Sequence, residues 1–360
     1  MKALLLGDIC PTVMNHHLFR EEDIPTLFTD AVRVFEGADF AVANLECALT
    51  ERDTPIRKIG GLQKAPWQTA RVMKELGIGL CVLSNNHIMD FGPGGIRDTL
   101  KILEELEIPH TGFGANYEDS RKNYLLEKDG ERIAFVAVCE HEYCYATEDR
   151  MGARPFDWVD TMEDIAEAKK EADRVIVLYH GGKEYCQYPS PRLRKLCQAM
   201  VRKGADLVLC QHSHCVGTYE AYEGGHILYG QGNFHYTEPC DEEVWYTGLA
   251  VGYDTRENTV SFTPLRAGEY SIRLAEDGEQ ILEALAQRSE KLLDGRWKQE
   301  WRAFCEHVRP NYHDAVRKAF VDGATPKDDE MFGHFLDCEA HTDVWRELFA
   351  TWWHTAAPGE

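Results

Sequence analysis

The stretch Gly204–Cys215, GADLVLCQHSHC, places two histidines one residue apart, directly after a short apolar run. The run Leu207–Leu209 has the length and composition of a buried strand. Taken alone, His212 and His214 are more consistent with surface histidines than with metal ligands. Their interpretation therefore depends on which residues end the other apolar runs of the chain.

Other β-rich runs also end abruptly in polar residues. Those residues are Asp8 after Lys2–Leu6, Asn44 and Glu46 after Phe40–Ala43, Asn86 and His87 after Leu80–Leu83, His180 after Val175–Tyr179, and Asn233 after Ile227–Tyr229. In open α/β sheets, ligands bind at the carboxyl ends of the strands. We therefore expect these polar side chains to gather in one cleft.

Helical patterns alternate with these strands and predict an α/β fold. Apolar residues recur at spacings of three and four in Ala65–Leu76, Gly95–Leu106, Thr161–Ala172 and Ser190–Lys203. Two predicted hairpins, Tyr124–Ala137 and Leu249–Leu265, interrupt the alternation. The pattern therefore indicates one mixed sheet, or two sheets packed together.

The character of the chain changes at about Asp277, where amphipathic helical patterns take over. They cover Ile281–Leu293, Trp297–His307 and Tyr312–Phe320, followed by the tryptophan-rich stretch Asp343–Trp353. We therefore predict a main domain over residues 1–270 and a helical C-terminal extension over residues 271–360 packed on it.

The charge of the chain restricts its partners. The 360 residues carry a formal net charge of −22, which repels phosphate backbones, so binding to nucleic acid or to an anionic membrane surface is not expected. A small anionic substrate remains compatible, because metal ions in a cleft reverse the local field. The sequence has no apolar run of about 18 residues, so no membrane span is predicted.

The N-terminus and the cysteines favour a cytoplasmic protein. The apolar part of MKALLLGDIC is too short for a secretory signal peptide. The twelve cysteines show no CxxC spacing, and we interpret them as reduced thiols. A homo-oligomer is neither indicated nor excluded.

The polar residues at the predicted strand ends are suited to binding a metal ion. Imidazole nitrogen combined with carboxylate and amide oxygen favours borderline divalent ions such as Mn²⁺, Fe²⁺ or Zn²⁺. Bland interpretations stay open: Asp8 could cap a turn, Glu46 could be a solvated acid, and His16 with His17 could be surface residues. A further acidic stretch, residues 140–142, follows a strand and could line the cleft.

Several motifs together resemble the CapA family of poly-γ-glutamate capsule synthesis proteins, which contain a PGA_cap domain. They are Gly7-Asp8, ANLE (43–46), NNHIMDFGPGGIRDTL (85–100), GFGAN (112–116), HGGKEY (180–185), GADLVLCQHSH (204–214) and YGQGNF (229–234). That family belongs to the calcineurin-like metallophosphoesterase superfamily, and the resemblance covers about residues 1–269. It implies a sandwich of two mixed β-sheets flanked by helices.

The resemblance also implies a metal-dependent hydrolase, in which a metal-bound hydroxide attacks a phosphoester. One metal ion would be held by Asp8 and His214, and a second by Asn86, His180 and His212, while Glu46 would bridge the two ions or complete the first site.

The resemblance implies further roles beside the metals. His87 would stay off the metals and act on the leaving group or on substrate oxygens, with Asp90 orienting its ring. Glu184 and Tyr185 would contact the substrate, and Lys183 would offset its negative charge.

Two alternatives remain open at this stage. Many phosphoesterases of this superfamily begin with Asp-x-His, but the residue two positions after Asp8 is Cys10, so one or two divalent ions (Mn, Fe or Zn) are expected. The family name also makes a γ-glutamyl compound a candidate substrate. The protein could then hydrolyse an amide of poly-γ-glutamate or of a γ-glutamyl peptide, act in a ligase-like reaction on it, or bind it without catalysis.

Overall fold

A computed structural model describes residues 1–350 of the chain. The predicted tryptophans Trp352 and Trp353 lie outside the described residues. The strands are β1 (Lys2–Ile9), β2 (Phe40–Leu45), β3 (Ala48–Leu49), β4 (Lys64–Ala65), β5 (Ile78–Val82), β6 (His110–Thr111), β7 (Phe113–Gly114), β8 (Tyr124–Lys128), β9 (Glu131–Cys139), β10 (Gly152–Ala153), β11 (Arg174–His180), β12 (Leu207–Gln211), β13 (Tyr219–Tyr222), β14 (Gly225–Leu228), β15 (Asn233–His235), β16 (Thr247–Asp254), β17 (Thr259–Ala267) and β18 (Ile272–Leu274).

The α-helices lie between these strands and after the last of them. They are α1 (His16–Glu21), α2 (Ile24–Phe28), α3 (Gln68–Glu75), α4 (Gly92–Glu105), α5 (Tyr117–Ser120), α6 (Asp160–Glu171), α7 (Pro191–Lys203), α8 (Gly278–Asp294), α9 (Trp297–Ala319), α10 (Pro326–Asp337) and α11 (Glu339–Ala350).

Two large sheets organise the described residues, and both are mixed. The first has the strand order β18-β17-β16-β1-β2-β5-β6, with β15 also paired to β1, and the second has the order β13-β14-β12-β11-β9-β8. In each sheet the central strands run parallel, while hairpin partners such as β8 and β17 are antiparallel. The two predicted hairpins are therefore present.

The two sheets pack face to face. Leu5, Val42 and Leu80 of the first sheet share one buried apolar cluster with Phe135 and Ile176 of the second. Strand β11, RVIVLYH, is buried along nearly its whole length, as expected for a parallel strand covered on both faces.

Helices cover the outer face of each sheet. Helices α3 and α4 contribute to a cluster on the first sheet, and α6, α7, α9 and α11 contribute to a cluster on the second. The predicted fold class, a sandwich of two mixed β-sheets flanked by helices with C-terminal helices, is confirmed.

The C-terminal helices differ from the sequence prediction in two details. The patterns at Trp297–His307 and Tyr312–Phe320 belong to the single helix α9, which continues through Pro310. A helix interior tolerates proline at the loss of one backbone hydrogen bond, usually with a bend. Helix α10, which begins with a capping box at Thr325 and Asp328, was not predicted. Among the described helices, none combines the length and apolarity needed to cross a membrane.

Candidate metal centre

Asp8 is near the end of β1 and lies beside the turn that precedes β15. A Cβ atom on Gly7 would come within 2.1 Å of the Gly232 carbonyl oxygen, so only glycine permits this close approach. The Asp8 carboxylate is completely buried and accepts hydrogen bonds from the Asn44 side-chain amide (2.7 Å) and the His212 backbone N–H (3.2 Å). These contacts fix its orientation.

Glu46 follows β2 and is the acid whose situation most requires a cation. It is completely buried, and within residues 1–350 neither carboxylate oxygen has a hydrogen-bond partner. Burial, and then the nearby Asp8, raise the pKa of Glu46 well above its usual range. Because a buried polar group without a partner is costly, this carboxylate is suited to a positively charged ligand.

His180 and Asn86 extend the cluster from two neighbouring strand ends. His180 Nε2 lies 3.0 Å from Asn86 Oδ1 and 3.2 Å from Glu46 Oε1, and its Nδ1 lies 3.2 Å from the Asn44 amide nitrogen. Burial lowers the pKa of His180, which favours the neutral imidazole that binds metal ions.

His212 and His214 both adopt left-handed backbone conformations, with φ of 78° and 50°. Such strain in non-glycine residues is concentrated at functional sites. His214 Nδ1 lies 2.8 Å from Asn233 Oδ1, whereas His212 Nδ1 is buried and has no hydrogen-bond partner among the described side chains. Burial, followed by the proximity of His180, lowers the pKa of His212 well below its usual range.

These residues form two groups with the geometry of a metal site. Glu46, His180 and His212 can each offer one ligand atom within 4.8 Å of the others, and the same is true of Asp8, Glu46 and His214. Glu46 belongs to both groups, and its two unpartnered oxygens suit a ligand shared by two ions. The nitrogen and oxygen donors are those preferred by borderline divalent metals.

Cys10 occupies the position at which many phosphoesterases have a histidine. It is completely buried and belongs to neither of the two groups found among residues 1–350. Burial, and then a hydrogen bond with Cys47, raise the pKa of Cys10 well above the usual range. Its position thus does not place a thiol among the candidate ligands of either group.

His87 and Asp90 lie beside the metal-ligand candidates. His87 Nδ1 is 2.7 Å from Asp90 Oδ2 and 3.3 Å from the Lys58 ammonium, which also donates to Asp90 Oδ1 at 2.9 Å. Burial, and then Lys58, lower the pKa of His87. Burial alone would raise the pKa of Asp90, but the nearby His87 and Lys58 outweigh it and hold this pKa below the usual value.

A cavity of about 1040 Å³ opens beside these residues. Asn86 and His87 line it, and so do all three predicted substrate contacts. Lys183 and Glu184 form an ion pair of 3.3 Å there, and Tyr185 has a left-handed backbone with φ of 63°.

Most of the remaining candidates lie away from this cavity. Of the acidic stretch 140–142, Glu142 lines it, with its carboxylate 3.0 Å from the Asn86 amide and 3.5 Å from His212 Nε2. His16 and His17 are not part of its lining.

The sequence patterns did not point to Lys58, and they gave Asn44 no specific role. Lys58 lies between β3 and β4 in a segment without regular structure, so no strand end marked it. Asn44 lies near the end of β2, as the sequence predicts. Only the structure shows that its side-chain amide contacts both Asp8 and His180.

The chain also matches the sequence model of a known protein family over more than half of its length. The sequence model of the family described as Bacterial capsule synthesis protein PGA_cap matches residues 2–237. The chain belongs to this family. The matched range contains all six metal-ligand candidates and ends before β16, so the C-terminal helices lie outside it.

Two curated relatives carry matching names. The capsule biosynthesis protein CapA of Bacillus anthracis is 32% identical over 173 residues, which cover 46% of this chain and 42% of the relative. The PGA biosynthesis protein CapA of Bacillus subtilis (strain 168) is 28% identical over 239 residues, 65% of this chain and 63% of the relative. This chain therefore aligns with less than two thirds of the length of either relative.

Solved structures with partial similarity include two hydrolases by description. A structure described as a novel phosphatase from Mycoplasma pneumoniae has a TM-score of 0.48 and 12% identity, covering 74% of this chain and 93% of that one. A putative 5'-nucleotidase from Staphylococcus aureus has a TM-score of 0.42 and 14% identity, covering 79% of this chain and 58% of that one.

Proposed function

We propose that this protein is a metal-dependent hydrolase that cleaves a phosphoester. Asp8, Glu46 and His214 would hold one divalent ion, and Glu46, His180 and His212, with Asn86, would hold a second. The observation that carries the proposal is Glu46, a completely buried carboxylate shared by both groups and without a hydrogen-bond partner among residues 1–350.

The bound ions would polarise the phosphoryl oxygens and lower the pKa of a bound water. The remaining work falls to the residues that line the cavity. His87 Nδ1 lies 2.7 Å from Asp90 Oδ2 and would donate its proton there, which leaves Nε2 to exchange a proton with the leaving oxygen. Asp90 and Lys58 would keep the imidazole in this orientation.

The substrate side of the cavity offers both charge and hydrogen bonds. Lys183 can balance the negative charge of a phosphoester, and Glu184 and Tyr185 can orient its alcohol portion.

The free state of all twelve cysteines favours a reducing, cytoplasmic location.

A second candidate function rests on the names of the relatives. CapA of Bacillus subtilis is described as a PGA biosynthesis protein, and a Mycobacterium tuberculosis relative is described as a probable polyglutamine synthesis accessory protein. The same centre could then act on a γ-glutamyl amide, or could bind a γ-glutamyl compound without cleaving it.

Metal content tests the centre itself. Elemental analysis of the purified protein should show near-stoichiometric Mn, Fe or Zn, and Glu46→Gln should lose most of it. Glu51→Gln is the matched control, because Glu51 is an exposed acid on the same segment. Equal metal content in all three proteins would contradict the proposed role of Glu46.

Turnover of bis-p-nitrophenyl phosphate tests the reaction. His87→Ala should reduce kcat by about 10²–10⁴-fold while the metal content is unchanged, since a general acid or base contributes that much. His17→Ala is the control, because His17 is exposed and does not line the cavity. Metal-loaded protein that hydrolyses no phosphoester but cleaves or binds γ-glutamyl peptides would favour the second function.

A further inference from the structure

The cavity is much larger than a phosphoryl group requires. Its volume of about 1040 Å³ lies just above the roughly 300–1,000 Å³ typical of pockets for drug-sized ligands. Only part of its lining belongs to the candidate centre. More than half of the lining residues come from helices α9, α10 and α11, which lie outside the range matched by the family.

One face of helix α9 is turned toward this cavity. Phe304, Val308, Tyr312 and Ala315 recur at spacings of three and four and line the cavity, next to the polar His307, Asn311, Asp314 and Lys318 of the same helix. Phe304 and Val308 are only partly buried, and Met331 of α10 lies in the same lining with similar exposure. These three side chains form an apolar strip within a mixed lining, which is suited to contact an apolar group of a ligand that also carries charge.

A chain of contacts connects the cavity wall formed by helices α9, α10 and α11 with the candidate centre. Glu142 Oε2 lies 3.0 Å from the Asn86 amide, and Glu142 Oε1 lies 3.6 Å from His334 Nε2 on α10. The His334 ring stacks on Tyr143 and meets the ring of His341 on α11, with centroids 5.1 and 4.6 Å apart. The wall and the centre therefore border one continuous space.

We propose that helices α9 and α10 select the substrate, which is a phosphoester whose alcohol portion carries an aromatic or alkyl group. The phosphoryl end lies beside Asn86 and His87, and the apolar group rests on Phe304, Val308 and Met331. This inference rests on the proposed function for the phosphoester, while the apolar subsite is a property of the helices alone.

Ligand binding tests the subsite without any catalysis. Anilinonaphthalene sulfonate, an aromatic anion that fluoresces in apolar surroundings, should bind the metal-stripped protein at one saturable site. Val308→Trp fills the space beside α9 and should raise the Kd of the dye by about tenfold or more. This corresponds to the loss of a few buried methylene groups. Ala303→Trp is the matched control, because Ala303 is exposed on the same helix and does not line the cavity.

A substrate series tests selection in the metal-loaded protein. Alkyl p-nitrophenyl phosphodiesters from methyl to hexyl share one scissile bond and differ only in apolar length. In the wild type kcat/KM should rise along the series, by up to roughly fourfold for each buried methylene. Val308→Trp should abolish the rise, while Ala303→Trp should behave as the wild type.

The outcomes separate the two proposals. Loss of dye binding in Val308→Trp, but no hydrolysis by any protein, would overturn the phosphoesterase and leave the subsite standing. Hydrolysis that does not depend on alkyl length, with equal dye binding in all variants, would overturn the subsite. Val308→Ser, which removes apolar contact without adding bulk, and a thermal unfolding curve for each variant show whether a loss reflects misfolding.

Discussion

Lys58 and Asp90 form a buried ion pair that supports His87. Their side chains are 2% and 0% exposed, and their charged atoms are 2.9 Å apart. Removing one partner of such a pair leaves the other charge buried and uncompensated. We expect Asp90→Asn to lower the free energy of unfolding by about 3–5 kcal/mol, measured by urea denaturation.

Asp98→Asn provides the comparison for this prediction. Asp98 pairs with Arg52 at 2.8 Å, but this pair lies at the surface with half of the Arg52 side chain exposed. Surface pairs of this kind contribute up to about 1 kcal/mol. Equal losses in Asp90→Asn and Asp98→Asn would mean that burial gives the Lys58–Asp90 pair no special importance.

At the level of single residues, the sequence identified the candidates that end strands. Asp8, Glu46 and His180 could be proposed because each follows an apolar run, and the fold brings them together. Lys58 could not be proposed, because its position depends on how an irregular loop crosses the site. Helices α9 and α10 could not be related to the cavity either, since helix packing over long sequence distances determines that contact.

At the level of secondary structure, β1 and the turn before β15 depend on one glycine. The Gly7→Ala methyl group would meet the Gly232 carbonyl oxygen at 2.1 Å, so the backbone has to move. We expect a loss of stability of about 1–3 kcal/mol, typical of overpacking, and weaker metal binding because Asp8 follows Gly7. Thermal unfolding and metal titration would measure the two effects.

The same substitution at Gly333 should have the opposite sign. Gly333 lies in α10 with no atom within 4 Å of an added Cβ, so alanine fits there without a clash. Glycine inside a helix costs about 0.5–1 kcal/mol relative to alanine, and Gly333→Ala should therefore stabilise the protein. A loss of stability at Gly333, or none at Gly7, would contradict this account of the two glycines.

Helix α11 is attached to the sheets through a contact that depends on pH. Glu339 accepts from the His141 backbone N–H at 2.8 Å, and its other oxygen lies 2.6 Å from His141 Nδ1. The hydrogen bond to Glu339 raises the pKa of His141, although burial opposes it. The folded protein thus binds the proton more tightly than the unfolded chain, whose histidine has a pKa of about 6.5.

The sign of this pH effect follows from the raised pKa. The stabilisation is fully present below about pH 6.5 and disappears as the pH rises through the raised value. Because His141 is about one third exposed, we expect at most about 1 kcal/mol. A double-mutant cycle with His141→Gln and Glu339→Gln, repeated at several pH values, would measure the coupling. A coupling that grows with pH would have the wrong sign.

The sequence predicted most elements where the local pattern was decisive. The helical pattern predicted over Ser190–Lys203 forms α7, and Ser190 caps it by accepting from the Leu193 N–H. The pattern failed where packing overrides it. The apolar patterns predicted separate helices over Trp297–His307 and Tyr312–Phe320, but α9 continues through Pro310 because the buried residues Cys305 and Tyr312 hold both halves against the same core.

At the scale of the whole molecule, one apolar core joins the second sheet to the C-terminal helices. Trp301 of α9 and Val344 of α11 share a buried cluster with Val177 of β11 and Leu196 of α7. The sequence boundary proposed near residue 270 is thus crossed by continuous packing. We infer that the sheets and these helices unfold in one cooperative step, because neither can lose the other without exposing this core.

Trp301→Ala tests that cooperativity. Trp301 is 1% exposed, and its removal should cost about 3–5 kcal/mol. Hydrogen exchange followed by mass spectrometry should then show faster exchange in β11 and β12 as well as in α9, since all three share one unfolding event. Trp158→Ala is the control, because Trp158 is 45% exposed and its removal leaves little cavity. If α9 alone loses protection while β11 and β12 exchange as in the wild type, the C-terminal helices unfold as a separate unit.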